Sequence, residues 1–397
     1  MREKAQKSFV TIFPGYRDFH FWKDPGQIPY RFQKQGFKST IVFWSDGRPL
    51  PENELFSGLE RLAGNRLSRK FNTGIIIWLL RHSRGTDILN LFHLNWQSLL
   101  FAFVYKTLNP RGFVYIKMDA GRYSGIYEWE GIFNKASLPG DEAAGKVSIR
   151  TKIKNALIRN QFVGKVDLWS VEDNFTRQAY ESEYSFFRGK LITVYNGHTA
   201  DIPSPAKVSS FDEKEDIILT VGRLGTYQKG TELLLEAFRL ISAGTGYKLH
   251  LAGSTEPDFE ARIRDFFTAN PDLQDRVIFH GNLARQDLFS LYSRSKIFCL
   301  PSRYEGMAVV FAEAMYFRNA VVTTPFVSPA GLINEFRLGL TAENAGAESL
   351  AEKLNILVNN EGLAREYADN AHNFSSEEFN WDRIVSALNE EITRRRC

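Results

Sequence analysis

Residues 300–315 read L-P-S-R-Y-E-G-M-A-V-V-F-A-E-A-M. An apolar run of strand length ends at Leu300, a Pro-Ser pair breaks it, and an apolar helical pattern starts near Met307. A strand that feeds a helix N-terminus is the unit of a doubly wound α/β domain, whose ligands sit outside the carboxyl ends of the strands. The unpaired amides and partial positive charge of such a helix start suit a diphosphate, and Gly306 lets backbone approach it closely. Glu305 stands just ahead of the helix and Glu313 two turns inside it. Eight helical residues advance about 12 Å at ~1.5 Å each, so the two carboxylates do not share a proton. They are spaced to grip two parts of a long ligand, for example a sugar and a ribose. Residue type alone also admits a plainer reading, with Glu305 a helix N-terminal charge and Glu313 a solvated face residue.

Outward from this stretch, short apolar runs alternate with helix-length segments along the whole chain, the pattern of α/β architecture with parallel sheets. The first half is expected to hold strands at 8–13, 40–44, 88–92, 113–117, 167–170 and 191–195, with helices near 28–35, 54–62, 71–82, 97–107 and 174–184. The second half is expected to hold strands at 217–221, 248–252, 277–280, 297–300 and 320–323, with helices near 231–242, 256–269, 285–293, 309–316 and 347–359. Each half is long enough for one doubly wound domain. The join falls near 198–214, where Pro, Ser and Asp replace periodicity, giving domains 1–200 and 201–380. A last helix, 381–397, carries Ile384, Leu388 and Ile392 on one stripe and is expected to pack back toward the first domain.

The 397 residues are 43% hydrophobic, enough for packed cores and too many for general disorder. No apolar run nears the ~20 residues of a membrane span; residues 74–80 form the longest. Three basic residues precede a five-residue apolar run at the N-terminus, too short for a signal-peptide core. Cysteine occurs only at Cys299 and Cys397, which fits a reducing, cytoplasmic compartment, and no Cys/His spacing points to a metal. Residues 1–200 hold 29 Lys and Arg against 18 Asp and Glu, while residues 201–397 hold 21 against 28. A basic first half suits an anionic surface such as a phospholipid leaflet or polyprenyl-phosphate carrier; ordinary solvated charge is the alternative. Residues 69–84, R-K-F-N-T-G-I-I-I-W-L-L-R-H-S-R, set an apolar centre between basic ends and read either as a core helix or as a membrane-surface segment.

Residues 218–238 form a second strand–loop–helix unit, with Gly222-Arg223 after the strand and Lys229-Gly230 before an amphipathic helix. Both stretches resemble the signature of the family 4 retaining glycosyltransferases. Their GT-B fold places two Rossmann-like domains with parallel sheets face to face across a cleft. The family has a Glu-Gly pair and a second Glu eight residues after the first; here these are Glu305-Gly306 and Glu313. The resemblance implies that Glu305 bonds the donor sugar, that Glu313 bonds the ribose, and that the amides of Met307, Ala308 and Val309 meet the diphosphate. It implies that Arg223 and Lys229 stabilise the leaving nucleotide, which needs fixed cations because breaking the sugar–phosphate bond builds charge. Gly222 belongs to the same loop. Arg223 and Lys229 are six apart where five is commoner, Ala308 stands where many relatives have Gly, and Tyr316-Phe317-Arg318 replaces Ala-Cys-Gly.

Weaker matches follow in order. Tyr195-Asn196-Gly197 resembles the Asn-Gly before the interdomain linker. In His280-Gly281-Asn282 the backbone would meet the base, and Asn282 is taken as a donor-binding residue. Gly331 to Gly339, with Glu335 between, resembles a later Gly…Glu…Gly segment. The first half is less specific. Phe13-Pro14-Gly15 ends a strand where the family has a glycine loop over the phosphates, so Gly15 is a candidate. Lys117-Met118-Asp119 stands where relatives place a His that meets the donor sugar, and Asp119 with Lys117 substitutes for it; His93 follows a different strand.

The resemblance implies retaining, metal-independent transfer of a sugar from a UDP- or GDP-linked donor, with no other cofactor, to a glycan or lipid-linked glycan in cell-surface polysaccharide synthesis. The site would be cytoplasmic, with peripheral contact at the inner membrane surface. A nucleotide-sugar epimerase or phosphorylase on the same fold, and a non-catalytic binder of carbohydrate or lipid carrier, are the alternatives. A nucleic-acid reader is disfavoured because the basic residues are scattered and no recognition motif occurs.

Overall fold

The computed structural model describes residues 6–44, 55–63, 72–118, 161–202, 205–328 and 330–396. They form two compact units: Met1–Tyr195 with Trp381–Cys397, and Asn196–Asn380. The division falls after Tyr195, five residues ahead of the boundary read from the sequence. Candidate Asp119 lies outside the described residues, as do Arg69, Lys70, Phe71 and Cys397.

The first unit is built on strands β1 (Ser8–Ile12), β2 (Lys38–Trp44), β3 (Leu59–Leu62), β4 (Ile88–Phe92), β5 (Phe113–Lys117), β6 (Leu168–Val171) and β7 (Leu191–Thr193). Among the described residues their order is β3-β2-β1-β4-β5-β6-β7, every pair parallel. β4 and β5 are buried at every position because helices cover both faces, which is why they read as unbroken apolar runs. The helices are α1 (Asp24–Lys34), α2 (Thr73–His82), α3 (Trp96–Leu108) and α4 (Asn174–Glu183). Asn95 and Asp173 cap α3 and α4 by accepting from the amides of Ser98 and Thr176. The helix expected over 54–62 is corrected: its described part ends in β3, whose Leu-Glu-Arg-Leu pairs with residues 41–44 of β2.

The second unit holds β8 (Glu215–Val221), β9 (Lys248–Ala252), β10 (Val277–Gly281), β11 (Ser295–Leu300), β12 (Ala320–Thr323) and β13 (Gly339–Thr341), ordered β10-β9-β8-β11-β12-β13 and again parallel. Its helices are α5 (Thr231–Ser242), α6 (Pro257–Ala269), α7 (Arg285–Arg294), α8 (Val309–Tyr316), α9 (Ala330–Glu335), α10 (Ala347–Val358) and α11 (Glu361–Glu378). α5 buries Leu234, Leu235, Phe238 and Ile241, a stripe at helical spacing, against Leu249, Leu251 and Leu354. Each such side chain contributes roughly 1.5–3 kcal/mol on leaving water.

The chain then returns to the first unit as α12 (Trp381–Arg396). Trp381, Val385, Leu388 and Ile392 join Phe9, Ile28, Phe32 and Tyr115 in one core, with Ile384 only partly buried at its rim. Arg31, 1% exposed, donates to Asp382 across 2.7 Å and ties α1 to this helix.

Candidate functional site

In both sheets the strand order reverses beside the first strand, and ligands of doubly wound folds bind outside that switch point. In the second unit the switch lies between β8 and β11. Gly222 and Arg223 follow β8, and the turn from Pro301 to Ala308 follows β11. The fold therefore brings the two motifs, some 80 residues apart, to one place.

Lys229 Nζ donates to Glu305 Oε2 at 2.5 Å, with both side chains 15% exposed. Gln228 joins the pair: its Nε2 donates to Glu305 Oε1 at 3.4 Å, and its Oε1 accepts from Arg223 Nη2 at 3.3 Å. Ser302 Oγ donates to Glu305 Oε2 at 3.4 Å. Arg223 itself is exposed. The two loops are locked from behind. Gly230 has φ +58°, and a Cβ there would stand 2.4 Å from the Pro301 carbonyl oxygen, so only glycine lets α5 start this close to the β11 turn. Arg303 Nη1 donates to Tyr227 O at 2.8 Å and its Nη2 pairs with Glu232 at 2.6 Å.

The helix start differs slightly from the sequence reading. α8 begins at Val309, and Ala308 is its extended N-cap, so Met307 and Ala308 lead into the helix. Asn196 Nδ2 donates to Met307 O at 3.0 Å and fixes that lead. Glu305 is held by main chain: its amide donates to Phe326 O and its carbonyl accepts from Ser328 N.

Glu313 is the fifth residue of α8 and is 4% exposed, which corrects its reading as a solvated face residue. Loss of water pushes its carboxyl up to about 6, and Arg285 and the Tyr292 hydroxyl limit the rise. Arg285 Nη2 lies 3.6 Å from Glu313 Oε1, donates to Thr199 Oγ1, and sits 4.4 Å over the Phe289 ring. Arg285, Gln228, Ser302 and Tyr292 were not found from sequence. Arg285 opens α7, the helix after the His-Gly-Asn stretch, and that position was its only signal.

Asn282 is exposed on the loop after β10, at the carboxyl end of the same sheet. Gly15 lies in the first unit on an exposed turn after β1, where a Cβ would meet nothing within 4 Å. Lys117, at the end of β5, is turned inward: it is fully buried, 3.4 Å from Glu172 Oε1, and donates to Val194 O at 3.2 Å. A group so enclosed does not reach a sugar. Arg318, where the family has Gly, adopts φ +61° and pairs with Asp369 at 2.9 Å. Among the described residues no cluster of three or more His, Cys, Asp or Glu is placed to hold a metal.

Comparison with known proteins adds the lineage. Residues 201–374 match the model of the family described as glycosyl transferases group 1. An uncharacterized glycosyltransferase of Haemophilus influenzae is 28% identical over 204 residues, 50% of this chain and 54% of that one. An α-1,4-N-acetyl-D-galactosaminyltransferase of Campylobacter jejuni, named for a diNAcBac-PP-undecaprenol-linked acceptor, is 29% identical over 168 residues, 41% and 44% of the two chains. The chain thus spans about half the length of the curated relatives it matches. The Anabaena protein HepE, solved with UDP, superimposes with a TM-score of 0.71 at 14% identity, covering 98% of this chain and 100% of that one. That likeness carries the fold across both units. Residues 201–374 are thus similar to the glycosyl transferases group 1 family, and the chain carries them on a GT-B fold.

Proposed function

We propose that the protein is a retaining glycosyltransferase that moves a sugar from a nucleoside-diphosphate sugar, UDP- or GDP-linked, to a glycan or lipid-linked glycan in cell-surface polysaccharide synthesis. The observation that carries this reading is the Lys229–Glu305 pair beside Arg223 at the switch point of the second sheet. In the proposed reaction the bond from the anomeric carbon to the diphosphate oxygen breaks, and its electron pair stays on that oxygen. Arg223 and Lys229 offset the charge that develops there, so no metal is required. The amides of the α8 start hold the diphosphate, Glu305 orients the sugar, and Glu313 accepts from the ribose hydroxyls. The acceptor oxygen bonds to the carbon on the face the diphosphate leaves, and its proton passes to the departing diphosphate. The lipid-linked acceptor is supported by the name of the Campylobacter relative.

Peripheral contact with the cytoplasmic face of the membrane is part of the proposal. α2 buries Ile75, Trp78 and Leu79 and leaves Ile77 (45% exposed) and Leu80 (58% exposed) beside the exposed Arg81 and Arg84. No helix among the described residues is long and apolar enough to cross a bilayer. Co-sedimentation with anionic but not neutral vesicles, lost in Leu80→Asp, is the expected result.

The test of the transfer reading is a panel of nucleotide sugars, with and without EDTA, scored for thermal protection and slow release of nucleotide. One donor is expected to stabilise the protein and to be hydrolysed despite the chelator, with Glu305→Ala losing the turnover. Absence of protection by every donor and nucleoside diphosphate would overturn it.

A further inference from the structure

The amino-terminal end of the first sheet, opposite the end where nucleotide ligands of this fold bind, carries a second cavity. It holds about 460 Å³ and is bounded by the end of α1, the start of β2 and the turn before β3. Its size lies in the range of ordinary ligand pockets, roughly 300–1,000 Å³.

The edge of the sheet makes this space. β2 begins at Lys38, but β3 pairs with it only from Ile41 onward, so the first three residues of β2 have no ladder partner in β3. Gly58 then brings the turn hard against β2, because a Cβ there would stand 2.0 Å from Ser39 O. The gap that remains is walled by side chains rather than by a strand.

Among the described residues, two polar atoms on this wall are buried and lack a partner: the hydroxyl of Ser39, a residue 6% exposed, and the side-chain oxygen of Gln33. Gln33 Nε2 donates to Ser57 Oγ at 3.1 Å, so one end of the amide is used, while its buried oxygen has no partner among the described residues. A buried hydroxyl or amide left unpaired is costly and calls for a ligand or solvent partner.

The lining also says what kind of ligand. Gln33, Ser39, Thr40 and Ser57 are uncharged groups that both donate and accept, while Lys38 and Glu60 bring one charge of each sign. That balance does not select an anion or a cation. It matches a ligand that alternates donors and acceptors around a compact ring, which is a pyranose. An adjoining groove of about 320 Å³ shares Lys38, Thr40 and Glu60 and runs toward Trp78 and His82, whose rings stack at 4.4 Å. We infer that this cavity is a carbohydrate-binding site distinct from the donor site, taking one pyranose unit of a glycan at Gln33 and Ser39 with the chain continuing into the groove. The inference goes beyond the proposed transfer reaction and stands whether or not that reaction is correct.

The experiment is saturation-transfer NMR on the full chain held with excess UDP. The probes are glucose, galactose, mannose and N-acetylglucosamine with their α-linked disaccharides, and inorganic phosphate is titrated separately. At least one sugar is expected to bind saturably at millimolar concentration, with the disaccharide tighter. Ser39→Ala and Gln33→Leu should each weaken it at least fivefold. Ser39→Ala should leave the melting temperature unchanged or raised, since it removes an orphaned hydroxyl; a merely structural Ser39 would lower it. Ser57→Ala is the second variant if Gln33→Leu does not fold. Sugar binding unchanged in these variants, no saturable sugar, or saturation by phosphate alone overturns the site.

Discussion

Lys229 Nζ and Glu305 Oε2 meet at 2.5 Å although they come from loops that follow two different strands, β8 and β11. Each compensates the other in the ligand-free protein, and in the proposed reaction each serves a different part of the donor. Lys229→Ala is expected to weaken nucleoside-diphosphate binding, and Glu305→Gln to lower kcat with little change in nucleotide affinity. Losses of about 10²–10³ in kcat are the scale for removing one transition-state contact. Because the residues touch, the double variant should lose less than the product of the single losses, and steady-state kinetics on all four proteins measure the coupling.

Glu313 supplies a pH signature with two opposite signs. Its carboxyl is raised from the ordinary range to about 6, mainly by loss of water. The folded state therefore holds a proton that the unfolded state has released between pH 4.5 and 6, and this contribution to the stability of the ligand-free protein falls as pH rises through that window. Nucleotide affinity should move the other way, rising as the carboxylate forms near pH 6. Glu313→Gln should flatten both profiles, read by urea unfolding and by nucleotide titration from pH 4.5 to 7.5.

Arg318 gives a backbone test. At φ +61° a side chain is strained, and its partner Asp369 is 44% exposed, so the ion pair returns little. Arg318→Ala loses the pair and keeps the strain, whereas Arg318→Gly loses the pair and relieves it. The glycine variant should be more stable than the alanine variant by about 1 kcal/mol in urea unfolding. Equal stabilities would remove the strain argument.

Asp382 anchors α12 through the buried Arg31. Asp382→Ala leaves a buried guanidinium without its carboxylate, while the outer face of Asp382 is half exposed. A loss of about 2 kcal/mol is expected, below the range for fully enclosed pairs. Arg31→Met with Asp382→Ala should recover part of it, as measured by denaturant midpoints.

The sequence made β4, β5, β9, β12, α5 and α8 legible at their ends, because each is an apolar run or stripe bounded by a turn or cap. α11 escaped notice for a physical reason: its buried stripe is Ala364, Ala368, Ala371 and Ser375, side chains too small to stand out by hydrophobicity. β3 is four residues at a sheet edge, with two charges, and nothing in Leu-Glu-Arg-Leu separates it from a helix turn. That Arg223, Lys229 and Glu305 come together was readable because each sits at a short offset from a strand end. Arg285 was not, since its tie to Glu313 spans 28 residues and exists only once α7 and α8 pack.

The return of the chain at Trp381 has a consequence for biosynthesis. Four buried side chains of the first unit's core are made only after all of Asn196–Asn380. At about 5–20 residues per second, the ribosome takes on the order of ten to forty seconds to cross that stretch. Throughout that time Phe9, Ile28 and Phe32 lack the helix that covers them, while the second unit, continuous in sequence, can close first. A nonsense codon near 380 would thus damage the half of the molecule encoded at the opposite end of the message, and the nascent first unit is where a chaperone has an apolar surface to hold.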